Sequence, residues 1–316
     1  RSARGHAAPA SAVRRLRRCS AVHRPVHHRS VHDLDAHVAR VHGGTGFGAH
    51  RIHAAILCTR IAGLSVIDDT IAAGRGDTGG ATGVGLGVGV HGAVVTGFSI
   101  VDDTLYTLGA FGKEERLLAF NASSGKKLWE LSIGELLTNG WGDGPRMTPT
   151  VSGGMVYALG GKGKLVCADS KTGKQKWSSH LVKDLGGKVP GWGYTESVLV
   201  DEGRVVCTPG GAQGALAALD AKTGKVLWRS KEFTDGAQYS SPILIEHGGE
   251  RQYVQLVMKN LVGINAKTGK LSWKSEWPGR VAVIPTPIYS DNHVFISSGY
   301  GVGCKLVRLG ANEPKD

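Results

Sequence analysis

From Phe98 onward the chain alternates short apolar runs with breaks rich in Gly, Asp and Asn, and the runs are too short for helices of ordinary length. Each group of runs ends in one signature: LLAFNASSGKKLW (Leu117–Trp129), LVCADSKTGKQKW (Leu165–Trp177), LAALDAKTGKVLW (Leu216–Trp228) and LVGINAKTGKLSW (Leu261–Trp273). The four tryptophans lie 48, 51 and 45 residues apart, a period that marks a repeat architecture. A fifth copy starts at CKLVRLGANEPKD and ends before its Thr-Gly and Trp. Two further strand-like runs precede each signature, such as MTPTVSG and MVYALGG or SSPILIEHG and RQYVQLVM. Four short strands per repeat make a meander, so the fold class is all-β: a β-propeller of four-stranded antiparallel blades, about five of which are present.

The signature has a local physical logic. Asn121, Asp169, Asp220 and Asn265 place a short side-chain oxygen where it can accept backbone N–H bonds and start a turn. Gly125, Gly173, Gly224 and Gly269 supply the left-handed conformation of a tight hairpin, and the Lys after each keeps the tip solvated. Trp129, Trp177, Trp228 and Trp273 carry a flat face to bury against the neighbouring blade. These residues are structural, and no catalysis is expected of them.

Residues 1–95 differ in kind. They contain no Lys, Trp or Tyr, hold ten of the thirteen His, and show no sustained hydrophobic period. Their twelve Arg against five Asp supply +7 of the formal charge of +12, so the basic balance is not a property of the repeats. Arg14, Arg15, Arg17 and Arg18 lack interleaved aromatics to stack bases, which leaves no nucleic-acid partner expected. His23, His27, His28 and His32 have helical metal-pair spacing, but Pro25 disfavours the helix. A wrong-frame reading of GC-rich DNA explains this composition, and the segment is expected to be disordered or non-native. The division expected is therefore 1–95 and 96–316. No secretory signal pattern and no transmembrane-length apolar stretch is visible. The five cysteines are far apart, with no C-x-x-C, and no metal site is expected.

The A-x-D-x-x-T-G-K-x-x-W pattern resembles the PQQ-like (pyrroloquinoline-quinone-type) β-propeller repeat, the tryptophan-docking motif of quinoprotein dehydrogenases, found also in the barrel-assembly lipoprotein of the outer membrane. The stretches NGWGDGPRMTPTV, LVKDLGGKVPGWGYTES, QYSSPI, RQYVQL, IPTPI and SSGYGVGC resemble a PQQ-like propeller group of planctomycete-type bacteria, and together the likeness spans residues 96 to 309. It implies a ring of about eight blades, an extracytoplasmic (periplasmic) location, and hence a fragment whose exposed blade faces self-associate. In the quinoprotein enzymes of this resemblance a vicinal disulfide and a Trp sandwich the quinone, and Glu, Asn and Asp ligate calcium. Vicinal cysteines are absent here, so PQQ with calcium is not expected and the quinoprotein oxidoreductase is the alternative reading.

The expected function is a binding or scaffolding module for a protein, peptide or glycan. In a blade ring, ligands belong at the channel mouth, by the segments that lead into each innermost strand. The candidates there are Asn139, Trp141, Asp143 and Arg146 before the second blade, Trp192, Tyr194 and Glu196 before the third, and Gln238 and Tyr239 before the fourth. Aromatic rings beside amide and charged groups suit stacking and oriented hydrogen bonds. The competing expectation is that Trp141 and Trp192 plug the channel while Asp143 pairs with Arg146.

Overall fold

The computed structural model describes residues 96–310; the expectations for residues 1–95 lie outside the described residues. The first blade is β1 (Phe98–Val101), β2 (Thr104–Phe111), β3 (Glu114–Asn121) and β4 (Lys127–Glu135). The second is β5 (Thr150–Ser152), β6 (Met155–Leu159), β7 (Lys164–Asp169) and β8 (Gln175–His180). The third is β9 (Leu199–Asp201), β10 (Arg204–Cys207), β11 (Ala217–Asp220) and β12 (Val226–Arg229). The fourth is β13 (Ile243–His247), β14 (Glu250–Leu256), β15 (Asn260–Asn265) and β16 (Leu271–Glu276). A three-stranded fifth sheet follows, with β17 (Ile288–Ser290), β18 (His293–Ser298) and β19 (Gly303–Arg308). Every sheet pairs its strands antiparallel in chain order, so the described residues form a partial all-β propeller.

The turn chemistry operates as the signature implies. Asp169 Oδ1 accepts the Lys171 N–H at 3.2 Å, the Thr172 N–H at 3.0 Å and the Thr172 hydroxyl at 2.9 Å. Asp220 and Asn265 repeat the arrangement. The threonine hydroxyl and amide bonds hold the Asp169 and Asp220 carboxyls below their ordinary range.

The glycines do more than make the hairpin. Gly173, Gly224 and Gly269 have φ of 70°, 72° and 73°, and a Cβ on them would lie 2.6, 2.7 and 2.5 Å from the rings of Trp129, Trp177 and Trp228. Each of these indoles therefore lies flat on the turn of the following blade. Its N–H donates to the carbonyl just beyond that turn's first residue, Ser170, Ala221 or Ala266, at 3.0, 3.0 and 3.1 Å. Trp273 packs against the cluster that holds Val294, Val307 and Leu309 of the fifth repeat, but its N–H has another partner. Its indole N–H donates instead to Gln252 Oε1 at 2.6 Å, and the ring folds over Gly263 of its own sheet. Ala119, Cys167 and Ala218 pair with the other tryptophans across the sheet, and their side chains leave no such space.

The first strands of successive blades converge, and short hydroxyl side chains bridge the narrow gap. Ser99 Oγ donates to Pro149 O at 2.5 Å and Thr150 Oγ1 to Val198 O at 2.7 Å, while Ser197 N–H donates to Ser241 Oγ at 2.9 Å. Strands two and three of each blade supply the core, with Leu108, Leu117, Val156, Leu165, Val205, Leu219, Val254 and Leu261 fully buried. Each such side chain contributes about 1.5–3 kcal/mol of hydrophobic stabilisation. Among the described residues no helix is long and apolar enough to cross a membrane.

Candidate binding site on the connecting segments

Strand direction alternates along each meander, which puts the segments joining one blade to the next on the same end of the arc as the β2–β3, β6–β7 and β10–β11 turns. These connecting segments carry no strand pairing of their own. Their shape rests on glycines and side-chain bonds.

Three aromatic rings from three consecutive segments form a row. Trp141 and Trp192 have centroids 5.8 Å apart at 58°, and Trp192 stacks on Tyr239 at 5.1 Å and 19°. Tyr239 is buried, Trp192 is half-buried and Trp141 is 76% exposed, so the row rises from the interior to solvent. The Tyr239 hydroxyl accepts the Trp192 N–H at 3.3 Å, its carbonyl accepts the Thr195 hydroxyl at 3.0 Å, and burial raises the phenol's pKa.

The polar candidates divide by role. Asn139 Oδ1 accepts the Trp141 N–H at 3.0 Å, and its Nδ2 donates to Gly191 O at 2.9 Å. Asp143 Oδ1 accepts the Asn139 N–H at 2.8 Å. The expected Asp143–Arg146 pair is not formed. Arg146 turns to two carbonyls, donating from Nε to Trp192 O at 2.8 Å and from Nη2 to Gly142 O at 2.6 Å, because backbone oxygens of both loops converge on it. Beside this row a cavity of about 600 Å³ is lined by Leu136, Asn139, Gly140, Gly142 and Asp143, with Ala110 and Gly112 opposite.

Tyr194 and Glu196 point inward, away from the row's exposed end. Tyr194 is 1% exposed and its hydroxyl donates to Pro209 O at 2.9 Å. Glu196, also buried, accepts the Thr208 N–H at 2.5 Å and faces Gln255 Nε2 at 3.3 Å. Burial pushes its carboxyl up to about 7 against the lowering effect of the Thr208 bonds. Tertiary packing, not strand alternation, places Glu196, which lies on a connecting segment before β9. Gln238 is half-buried and donates from Nε2 to Ala237 O at 3.0 Å, while its buried Oε1 has no partner.

Sequence reasoning missed Glu115. This buried carboxylate accepts the Leu137 N–H at 3.0 Å and the Gly161 N–H at 2.8 Å, tying the base of the Trp141 loop to the second blade. Burial raises its pKa, with its two amide bonds and the Arg146 charge opposing. The signal was present: Glu115 is in phase with Leu117 and Ala119 on the inward face of β3.

Cys167 and Cys207 are buried in different blades, and both carboxylate oxygens of Glu196 already face protein groups. Among the described residues no three His, Cys, Asp or Glu side chains converge.

A family model described as outer membrane protein assembly factor BamB matches residues 113–313. Among curated proteins, the chain is 32% identical over 139 residues to the dehydrogenase subunit of an alcohol dehydrogenase (quinone) from Acetobacter aceti, covering 41% of this chain and 18% of that protein. It is 27% identical over 229 residues to the outer membrane protein assembly factor BamB of Kangiella koreensis, covering 69% of this chain and 49% of that protein. The chain thus spans at most about half the length of these relatives. Among solved structures, BamB from Moraxella catarrhalis aligns with a TM-score of 0.46 at 20% identity, over 66% of this chain and 57% of that one. With the family model covering most of the four blades and their repeated signature, the chain belongs to the family of PQQ-like propeller repeat proteins described as outer membrane protein assembly factor BamB.

Proposed function

We propose that this propeller is an extracytoplasmic binding or scaffolding module whose ligand, a protein, peptide or glycan, lies along the Trp141–Trp192–Tyr239 row. One observation carries the reading: three rings from three connecting segments are aligned on one end of the arc, and the outermost is 76% exposed. An exposed indole in contact with a half-buried one offers a flat apolar face on which a ring or sugar can stack. The name of the Kangiella relative, an outer membrane protein assembly factor, supports both a protein partner and a location outside the cytoplasm.

The test is a fluorescence titration with two probes, a synthetic peptide alternating aromatic and polar residues and a panel of neutral oligosaccharides. Trp141→Ala should abolish binding of whichever probe the protein takes and leave the melting temperature unchanged. Binding of every probe by the variant at wild-type strength would remove the row from function.

A second reading, a quinoprotein oxidoreductase, draws on the similarity to the Acetobacter enzyme. Addition of PQQ and calcium followed by alcohol-dependent dye reduction separates the two. Turnover would establish the enzyme; its absence alongside peptide or glycan binding would leave the module.

A further inference from the structure

We infer that Arg146 is the positioning residue that sets the Trp141–Trp192 pair, an inference that rests on the row being the ligand surface. The two loops that carry these tryptophans have no strand ladder, and glycines flank both rings: Gly140 and Gly142 beside Trp141, Gly191 and Gly193 beside Trp192. Backbone of that composition does not hold a ring in place without help, since each unfixed residue retains about 1–2 kcal/mol of conformational entropy. The Arg146 guanidinium supplies the help from a single rigid plane. Its Nε holds the carbonyl of Trp192 at 2.8 Å, and its Nη2 holds the carbonyl of Gly142, the residue after Trp141, at 2.6 Å.

Asn139 braces the same pair of loops, donating to Gly191 O at 2.9 Å and accepting the Trp141 N–H at 3.0 Å. Arg146 makes its link from one planar group, reaching the carbonyl of Trp192 and that of Gly142 at once. A lysine at this position keeps the charge next to the buried Glu115 yet lacks the fork that reaches two carbonyls at fixed angles. The Lys and Gln variants therefore separate geometry from charge.

Two indoles 5.8 Å apart and tilted by 58° couple their excited states, giving paired bands of opposite sign in circular dichroism. Among the described residues no other two tryptophans are in ring contact. Trp141→Ala identifies the couplet by removing it. Arg146→Lys should reduce the couplet by about twofold or more while the melting temperature stays near wild type, because the charge remains and the two-carbonyl grip is lost. Affinity for the alternating aromatic peptide should fall about tenfold, the equivalent of one charge-assisted hydrogen bond's net contribution. A full couplet in Arg146→Lys overturns the inference, whether Arg146→Gln folds or not, since charge beside Glu115 would then be all that position 146 supplies. A reduced couplet in a protein that binds no probe upholds the positioning role and sinks the binding function instead.

Discussion

The contact between each tryptophan and the next blade's glycine can be measured with two alanine substitutions in one blade. Gly224 and Gly203 both adopt the left-handed conformation, at φ of 72° and 75°. A Cβ on Gly203 meets nothing within 4 Å, whereas on Gly224 it lies 2.7 Å from two ring atoms of Trp177. Trp177 is buried and its N–H is bonded to Ala221 O at 3.0 Å, so the ring has little freedom to withdraw. Gly203→Ala should therefore cost only the left-handed penalty, about 1–2 kcal/mol. Gly224→Ala adds an overpacking cost of about 1–3 kcal/mol, for a total of roughly 2–5 kcal/mol. Urea denaturation with a common m-value reads both. The double variant Gly224→Ala with Trp177→Ala should be less destabilised than the sum of its parts, because removing the ring removes the clash. Equal losses in the two glycine variants, within about 0.5 kcal/mol, would refute the claim that the ring lies on the turn.

Glu196 makes a pH prediction. With its carboxyl raised from 4.5 to about 7 by burial, the folded state holds the proton more tightly than the unfolded chain. The resulting stability is full below about 4.5 and is lost as pH rises through about 7, a difference of about 3 kcal/mol. Glu196→Gln cannot ionise, so the stability of wild type minus variant should fall between pH 5 and pH 8; a level difference curve would contradict the assignment. On the fifth sheet, Ile288, Phe295 and Leu306 are cross-strand partners in one row, exposed by 61%, 37% and 37%. The corresponding Tyr106 and Ala119 or Tyr157 and Cys167 are buried under the following blade. Light scattering should show concentration-dependent self-association that Phe295→Lys weakens; a monomer at all concentrations would show that the row does not drive assembly.

The repeat was legible because its signals are local. Asp169 and Thr172 are three residues apart, and Gly173 closes the same hairpin, so composition and spacing alone determine the turn, the meander and the blade. Inward-pointing Glu115 was equally available from strand alternation. What lay beyond reach were contacts between residues distant in sequence. Arg146 chooses Trp192 O, 46 positions away, over the Asp143 carboxylate three positions away. Glu196 and Trp192 belong to one connecting segment, yet the first is sealed against Thr208 and Gln255 while the second joins a row with Trp141 and Tyr239. The sequence by itself determined which residues make each blade, because turn and strand preferences act over a few positions. Only the packing of blade against blade decided which side chains on the connecting segments are buried, which brace the loops and which face solvent, since those choices depend on neighbours brought close by the fold.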